Sequence, residues 1–205
     1  MTIRRFIFII LSIGLFIWPN LQIYNASVPE AKAESSQGAE APNIRNVYID
    51  EAFSSHEEND IYRALLAWQK ASNNKIKFNY AFRHYQPGDL DDFYHKRRFN
   101  NSLFIWRMDT NFLSHKLYER LKKYCAVYDM VGNIVIFVDK INNVDSTIFN
   151  VAKHELGHSL GLEHSVTGKR STMRINSNEI SDCITTEDTN RLCAIYHCKP
   201  NPECD

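Results

Sequence analysis

Two hydrophobic periodicities alternate along the first half of the chain and predict two strands and a helix. Apolar residues alternate with polar ones from Asn46 to Asp50 and again from Lys75 to Phe82, a pattern typical of strands that bury one face. Between these segments an apolar stripe recurs at helical spacing and comprises Ile61, Ala64, Leu65, Trp68 and Ala71. Ser55 and Glu58 offer a capping box for the start of this helix, and we expect its end near residues 73–74.

The second half of the pattern adds further strands around another helix. Leu103 to Met108 is apolar enough for a strand. Asn133 to Val138 contains an unbroken apolar run, which is typical of a strand covered on both faces or lying beside a ligand cleft. An apolar stripe at helical spacing lies between these two segments and comprises Leu113, Leu117, Leu121 and Tyr124.

The N-terminal residues have the pattern of a secretory signal. Arg4 and Arg5 precede an apolar run, Phe6 to Trp18, that is too short for a comfortable bilayer span. Small residues alternate in Ala31-Lys32-Ala33, which a signal peptidase accepts, so we expect cleavage after Ala33. An uncleaved anchor is the alternative, because apolar residues continue as far as Tyr24.

The composition is that of a globular protein and gives no support to a nucleic-acid partner. The 205 residues are 44% apolar and 12% aromatic, which is enough for one compact domain with a substantial core. Lysine and arginine number 24, as do aspartate and glutamate, so the formal charge is zero. Removal of residues 1–33 would leave a charge of about −2.

The five cysteines are enough for two disulfides and one unpaired thiol. Four of them crowd the end of the chain, namely Cys183, Cys193, Cys198 and Cys204. In an oxidising compartment we expect two disulfides there, and the sequence leaves all three pairings open. Cys125 is left over, and we interpret it as a small buried apolar residue rather than a reactive thiol.

The strongest chemical signal is an HExxHxxGxxH motif, which runs from His154 to His164 and follows a possible helix cap at Ser146 or Thr147. Residues four apart stand one turn above each other on a helix, so His154 and His158 can direct a ring nitrogen at one ion about 2.0–2.1 Å away. Gly161 can take positive φ and turn the chain back, so that His164 supplies a third ligand. Three imidazoles leave a fourth position for water, which is the arrangement of a catalytic zinc ion.

Glu155 follows the first of these histidines and would lie beside the metal rather than on it. From there it could take a proton from water and pass it to a leaving amine. Zinc makes this chemistry feasible because it lowers the pKa of bound water from 15.7 to roughly 7 and polarises a carbonyl. The other histidines lack ligand spacing and are interpreted as surface or core residues, namely His56, His84, His95, His115 and His197.

The motif resembles that of the metzincin metalloproteases, and Ser171-Thr172-Met173 resembles their Met-turn. His164-Ser165, together with Val151-Ala152 before the motif, is similar to the pattern of the matrixins within that group. Thr185 to Asp188 opens a segment similar to the helix that closes matrixin catalytic domains. The resemblance covers roughly residues 46–197 and implies that Met173 lies beneath the zinc site.

The resemblance implies an α/β (α+β zincin) fold with a twisted, mixed and mostly parallel sheet, the zinc-site helix against it and a smaller part after Gly161. It also implies that an extended substrate chain pairs with an edge strand near Asn133 to Val138, and that Arg174 to Ile180 forms part of a specificity pocket. Two matrixin features are missing, the cysteine-switch segment and the His and Asp pattern of extra structural metals, so we expect one zinc ion. Ile175 stands where matrixins have Pro and where astacin-like and serralysin-like enzymes have Tyr.

These observations predict an exported zinc-dependent endopeptidase, secreted or periplasmic, with a signal peptide at 1–33, a flexible lead-in at 34–45 and a catalytic domain at 46–205. Its expected partners are protein or peptide substrates, with no nucleic acid and no stable membrane association once the signal is cleaved, and we expect a monomer. The alternative is a catalytically inactive zinc-containing binding module. Glu155 counts against that alternative, because metal binding does not require it.

Overall fold

The computed structural model describes residues 43–84, 102–112, 115, 119, 121–129, 132–141, 147–167, 170–175 and 180–205. All of them belong to one compact unit, Pro42–Asp205. The expected signal peptide, residues 34–42 of the expected lead-in, and Leu113 and Leu117 of the apolar stripe lie outside the described residues.

The described part of the chain contains five strands, four α-helices and a 3-10 turn. The strands are β1 (Asn43–Asp50), β2 (Ile76–Arg83), β3 (Ser102–Met108), β4 (Ala126–Tyr128) and β5 (Asn133–Phe137). The helices are α1 (Ser55–Ala71), the short α2 (Val138–Ile141), α3 (Ile148–Ser159) and α4 (Thr186–Tyr196), and a 3-10 turn spans Thr110–Phe112. Among the described residues, no helix has the length and apolar character needed to cross a membrane.

The five strands form one sheet in the order β2-β1-β3-β5-β4. Neighbouring strands are parallel except β4, which runs antiparallel to β5. The expected α/β fold with a mixed, mostly parallel sheet is therefore confirmed.

The predicted edge strand is wrong. β5 lies between β3 and β4, and four of its five residues are buried, in keeping with the unbroken apolar run. The edge on this side is β4, whose three residues are too few to produce a periodic signal in the sequence. A substrate chain that extends the sheet here would therefore pair with Ala126–Tyr128.

The prediction that β2 buries one complete face is also wrong. Ile76 is buried, whereas the side chains of Tyr80 and Phe82 are 43% and 38% exposed. β2 is the outer strand at the opposite edge of the sheet, where β1 is its one strand neighbour among the described residues. The Tyr80 ring contacts both the Phe82 ring and the ring of Tyr62 in α1.

α1 has the predicted buried face, and its start is one residue earlier than predicted. Ser54 has extended backbone and accepts a hydrogen bond from the Glu57 amide, while the Glu57 carboxylate accepts one from the Ser54 amide at 2.7 Å. This pair, rather than Ser55 and Glu58, forms the capping box. Both pairs have the required spacing, so the sequence does not distinguish them.

The core lies where α1 and α3 pack against each other and against the sheet. Trp68 of α1 is fully buried, and its indole Nε1 donates a hydrogen bond to the backbone oxygen of Lys153 in α3 at 2.8 Å. This contact sets the separation of the two helices at the turn of α3 that carries His154.

Two disulfides close the C-terminal end. They join Cys183 to Cys204 and Cys193 to Cys198, which is one of the three pairings that the sequence leaves open. Thr185 and Cys204 also form a parallel β-bridge. Cys125 is half-buried against the core, and burial raises the pKa of its thiol, as expected for an unreactive packing residue.

Candidate metal centre

Local backbone features place two histidines on one face of α3 and stop the helix soon afterwards. The Thr147 hydroxyl caps the helix by accepting a hydrogen bond from the Asn150 amide at 3.2 Å. The helix ends at Ser159 and is followed by Gly161, which has a φ of 90°. Positive φ is accessible to glycine without steric cost, so the chain can turn back immediately after His158.

The turn brings the three predicted histidines together. The Nε2 atom of His158 lies 3.1 Å from that of His154 and 3.2 Å from that of His164, and the remaining pair is 3.3 Å apart. Nitrogen ligands about 2.0–2.1 Å from a tetrahedral zinc ion would lie about 3.3 Å from one another. The donor set and its spacing therefore fit a zinc ion.

The second ring nitrogen of two of these histidines is fixed by a backbone carbonyl. His154 Nδ1 lies 2.8 Å from the oxygen of Thr172, and His158 Nδ1 lies 2.8 Å from that of Leu162. A carbonyl only accepts, so both Nδ1 atoms carry the proton and both Nε2 atoms present a lone pair. Among the described residues, His164 Nδ1 has no such partner.

Burial keeps these imidazoles in the neutral form that binds metals. It lowers the pKa of His154 to about 3 and that of His158 to about 4, with His158 adding to the effect on His154. The pKa of His164 is also lowered, first by burial and then by the nearby Arg191 guanidinium. All three rings are therefore neutral at pH 7.

The predicted Met-turn packs against α3 at Gly157, between His154 and His158 in the sequence. Met173 is fully buried, and the backbone oxygen of Thr172 holds His154. A Cβ atom added at Gly157 would lie 2.3 Å from Met173 Sδ, so only glycine fits at this point of α3. The backbone amide of Ser165, the residue after His164, donates a hydrogen bond to the backbone oxygen of Met173 at 2.7 Å.

Asp188 holds the Met-turn to α4, a role that the sequence reasoning missed. Its buried carboxylate accepts hydrogen bonds from Ser171 Oγ at 2.5 Å and from the Thr172 amide at 2.8 Å. The same carboxylate caps α4 by accepting from the amide and hydroxyl of Thr185. The Thr185-x-x-Asp188 pattern could have indicated the cap, but nothing in the sequence indicates the contact with the Met-turn.

Glu155 lies next to His154 on α3 and is 7% exposed. Burial raises the pKa of its carboxyl group to about 8, against a smaller lowering by a hydrogen bond from the backbone of Tyr128 in β4. A divalent cation at the histidines would favour the carboxylate again. The side chain thus lies between the metal centre and the edge strand, where a proton acceptor could act on a bound substrate.

The remaining predicted residues are placed as follows. His56, His84, His115 and His197 do not join the group of three histidines that could hold a metal ion within the described residues, and His95 lies outside them. Ile180, the last residue of the expected specificity segment, forms a parallel β-bridge with Ser171. Residues 176–179 of that segment are not described. The side chain of Ile175 is 67% exposed.

A mixed sheet backed by a helix with converging histidines defines the zincin class of α/β proteins. A sequence model of the matrixin family matches residues 44–197, and the chain belongs to this family. Membership supports a zinc-dependent metalloprotease. The chain is also 41% identical over 64 residues to interstitial collagenase B of Mus musculus, a match that spans 30% of this chain and 13% of that relative's length.

Proposed function

We propose that His154, His158 and His164 hold one zinc ion and that Glu155 is the general base in the hydrolysis of peptide bonds. The observation that carries the proposal is the triangle of Nε2 atoms, 3.1–3.3 Å on each side, with the buried Glu155 carboxyl group beside it. When bound, zinc supplies a Lewis acid and makes water acidic enough to be deprotonated near neutral pH. Glu155 takes that proton and delivers it to the leaving amine.

The substrate is a protein or peptide held in an extended conformation along β4. Edge strands present unpaired backbone groups, so Ala126–Tyr128 can add a substrate strand to the sheet. The contact from the Tyr128 backbone to Glu155 supports this placement, because it joins the edge strand to the base.

The proposal extends to location and domain division. The enzyme acts as a monomer outside the cytoplasm, after removal of residues 1–33, with 34–42 as a lead-in and 43–205, which includes all of β1, as the catalytic domain. The signal-like sequence supports export, and so do the two disulfides, since oxidising compartments allow such bonds to persist.

The test is cleavage of an unfolded protein by the chain that begins at Glu34, with and without a zinc chelator. We expect the chelator to abolish cleavage and zinc to restore it. Glu155→Ala should lower kcat by at least about a hundredfold with zinc content unchanged, because only the proton acceptor is lost. Glu51→Ala, which removes an exposed carboxylate outside the site, is the matched control and should keep full activity.

An inactive zinc-containing binding module is the second candidate, and the same experiment separates the two. If one zinc ion binds per chain but neither the wild type nor Glu51→Ala cleaves any of a panel of unfolded proteins, the peptidase proposal fails and the binding module is favoured. If Glu155→Ala still cleaves the substrate, the role of Glu155 as the general base is contradicted, but the peptidase activity is not.

A further inference from the structure

His164 is held differently from the other two histidines. His154 and His158 lie on α3 and have their Nδ1 atoms fixed by backbone carbonyls. His164 follows the helix, is exposed, and has no partner for its Nδ1 atom among the described residues. The position of its ring therefore depends on how firmly the backbone on either side of it is held.

Two side chains of α4 hold the residues on either side of His164. Arg191 Nη2 donates a hydrogen bond to the backbone oxygen of Glu163, immediately before His164, at 2.7 Å. Glu187 Oε1 accepts a hydrogen bond from the hydroxyl of Ser165, immediately after His164, at 2.6 Å, and its other oxygen accepts from Thr167 Oγ1. Glu187 and Arg191 are four residues apart, so they project from the same face of the helix.

The helix that carries these side chains is itself firmly placed. Asp188 ties the first turn of α4 to the Met-turn, and the Cys193–Cys198 disulfide closes its last turn. Charge-assisted hydrogen bonds from such a support are short and directional. The two contacts thus transmit the position of α4 to the segment that carries His164.

We propose that Glu187 and Arg191 are positioning residues that clasp the chain on both sides of His164 and fix it at the third corner of the metal centre. This inference rests on the proposed zinc site. The clasp makes α4 part of the metal centre although none of its residues is among the three predicted ligands.

The charge of Arg191 allows hydrogen bonding and electrostatics to be separated. A guanidinium close to His158 and His164 repels a divalent cation, so loss of the charge alone should tighten zinc binding. Loss of the hydrogen bond to Glu163 should weaken it instead. The two effects have opposite signs, so the direction of the change in Arg191→Leu, which removes both the charge and the donor, shows which effect dominates. Arg191→Lys keeps a positive charge and a donor on a long side chain.

The experiment measures the zinc dissociation constant of the chain from Glu34 by competition with a chromogenic chelator. We expect Arg191→Leu and Glu187→Ala each to weaken zinc binding about 10–100-fold, as is usual for residues that support metal ligands. Arg191→Lys should stay within about threefold of the wild type, because a positive charge and a hydrogen-bond donor are both kept. Asn190→Ala, an exposed site on the same helix, is the control and should bind zinc as the wild type does.

A spectroscopic measurement distinguishes a displaced His164 from a general loss of stability in the variants. With Co²⁺ in place of zinc, the visible absorption reports the coordination of the ion, and Arg191→Leu should move toward the spectrum of His164→Ala while Asn190→Ala should not. Unchanged or tighter zinc binding in both Arg191→Leu and Glu187→Ala would overturn the clasp and leave the zinc site intact. Absence of zinc binding in the wild type would overturn the proposed function itself.

Discussion

At the scale of single residues, the metal centre depends on the absence of a Cβ atom at Gly157. Gly157 lies on α3 between the two helical histidines, where the buried Met173 and Trp68 approach the backbone. A Cβ atom there would be 2.3 Å from Met173 Sδ and 3.0 Å from Trp68 Cζ2, both closer than normal van der Waals contact. The Met-turn can therefore approach α3 only because this residue is glycine.

Gly157→Ala should destabilise the protein by about 1–3 kcal/mol, because a well-packed core must shift to admit the methyl group. The displaced Met173 would also move Thr172, whose oxygen orients His154, so zinc binding should weaken. Urea unfolding and chelator competition measure the two effects.

A double-mutant cycle with Met173→Ala identifies the contact responsible. In the Met173→Ala background, Gly157→Ala should cost less than in the wild type, because the sulfur atom that it meets is gone. Equal costs in both backgrounds would mean that the contact with Met173 is not the cause.

At the scale of elements, the contact of α1 with α3 carries much of the stability. Trp68 is fully buried and joins the two helices through its indole hydrogen bond to Lys153. The apolar stripe of α1 was predicted from spacing alone, because all five members must face one side of a helix. The partner of that stripe was not predictable, since the contact spans 85 residues of sequence.

Trp68→Ala should lower the free energy of unfolding by about 3–5 kcal/mol, because it leaves a large cavity between α1 and α3. Leu66→Ala on the same helix is the matched control, and it should cost less than about 1 kcal/mol because Leu66 is 40% exposed. Urea titration of both variants measures the difference. Similar losses in the two variants would contradict the assignment of the buried face.

At the scale of the whole molecule, the two disulfides stabilise the end of the chain unequally. Cys183–Cys204 spans 21 residues and ties the last residues to the segment that leads into α4, whereas Cys193–Cys198 spans only 5. A cross-link restricts the unfolded chain more when the closed loop is longer. Asn201 extends the same attachment by donating its backbone amide to the oxygen of Ala71 at the end of α1.

Strong reduction should therefore lower the melting temperature, and paired substitutions should separate the two bonds. Replacement of Cys183 and Cys204 by serine should cost about 3 kcal/mol, and replacement of Cys193 and Cys198 about 2 kcal/mol, from loop entropy alone. An unchanged melting temperature under reduction would show that neither bond constrains the unfolded chain. Peptide mapping without reduction checks the pairing independently.

The sequence by itself determined the features that rest on local geometry. The four-residue spacing of His154 and His158 places both rings on one helical face whatever the rest of the chain does. Gly161 allows the turn that follows, and the capping pattern at Thr185 starts α4, because each depends only on nearby backbone. The α/β fold was expected from the resemblance of the sequence to the metzincins, which the His154–His164 motif carries.

Only the tertiary structure decided what depends on distant parts of the chain. Strand order made β4 rather than β5 the edge, and burial showed that the aromatic side of β2 is largely exposed. The disulfide pairing and the contacts of Asp188 and Arg191 with the metal centre were settled in the same way. These features follow from which surfaces meet when the chain packs, and no short-range pattern in the sequence encodes that choice.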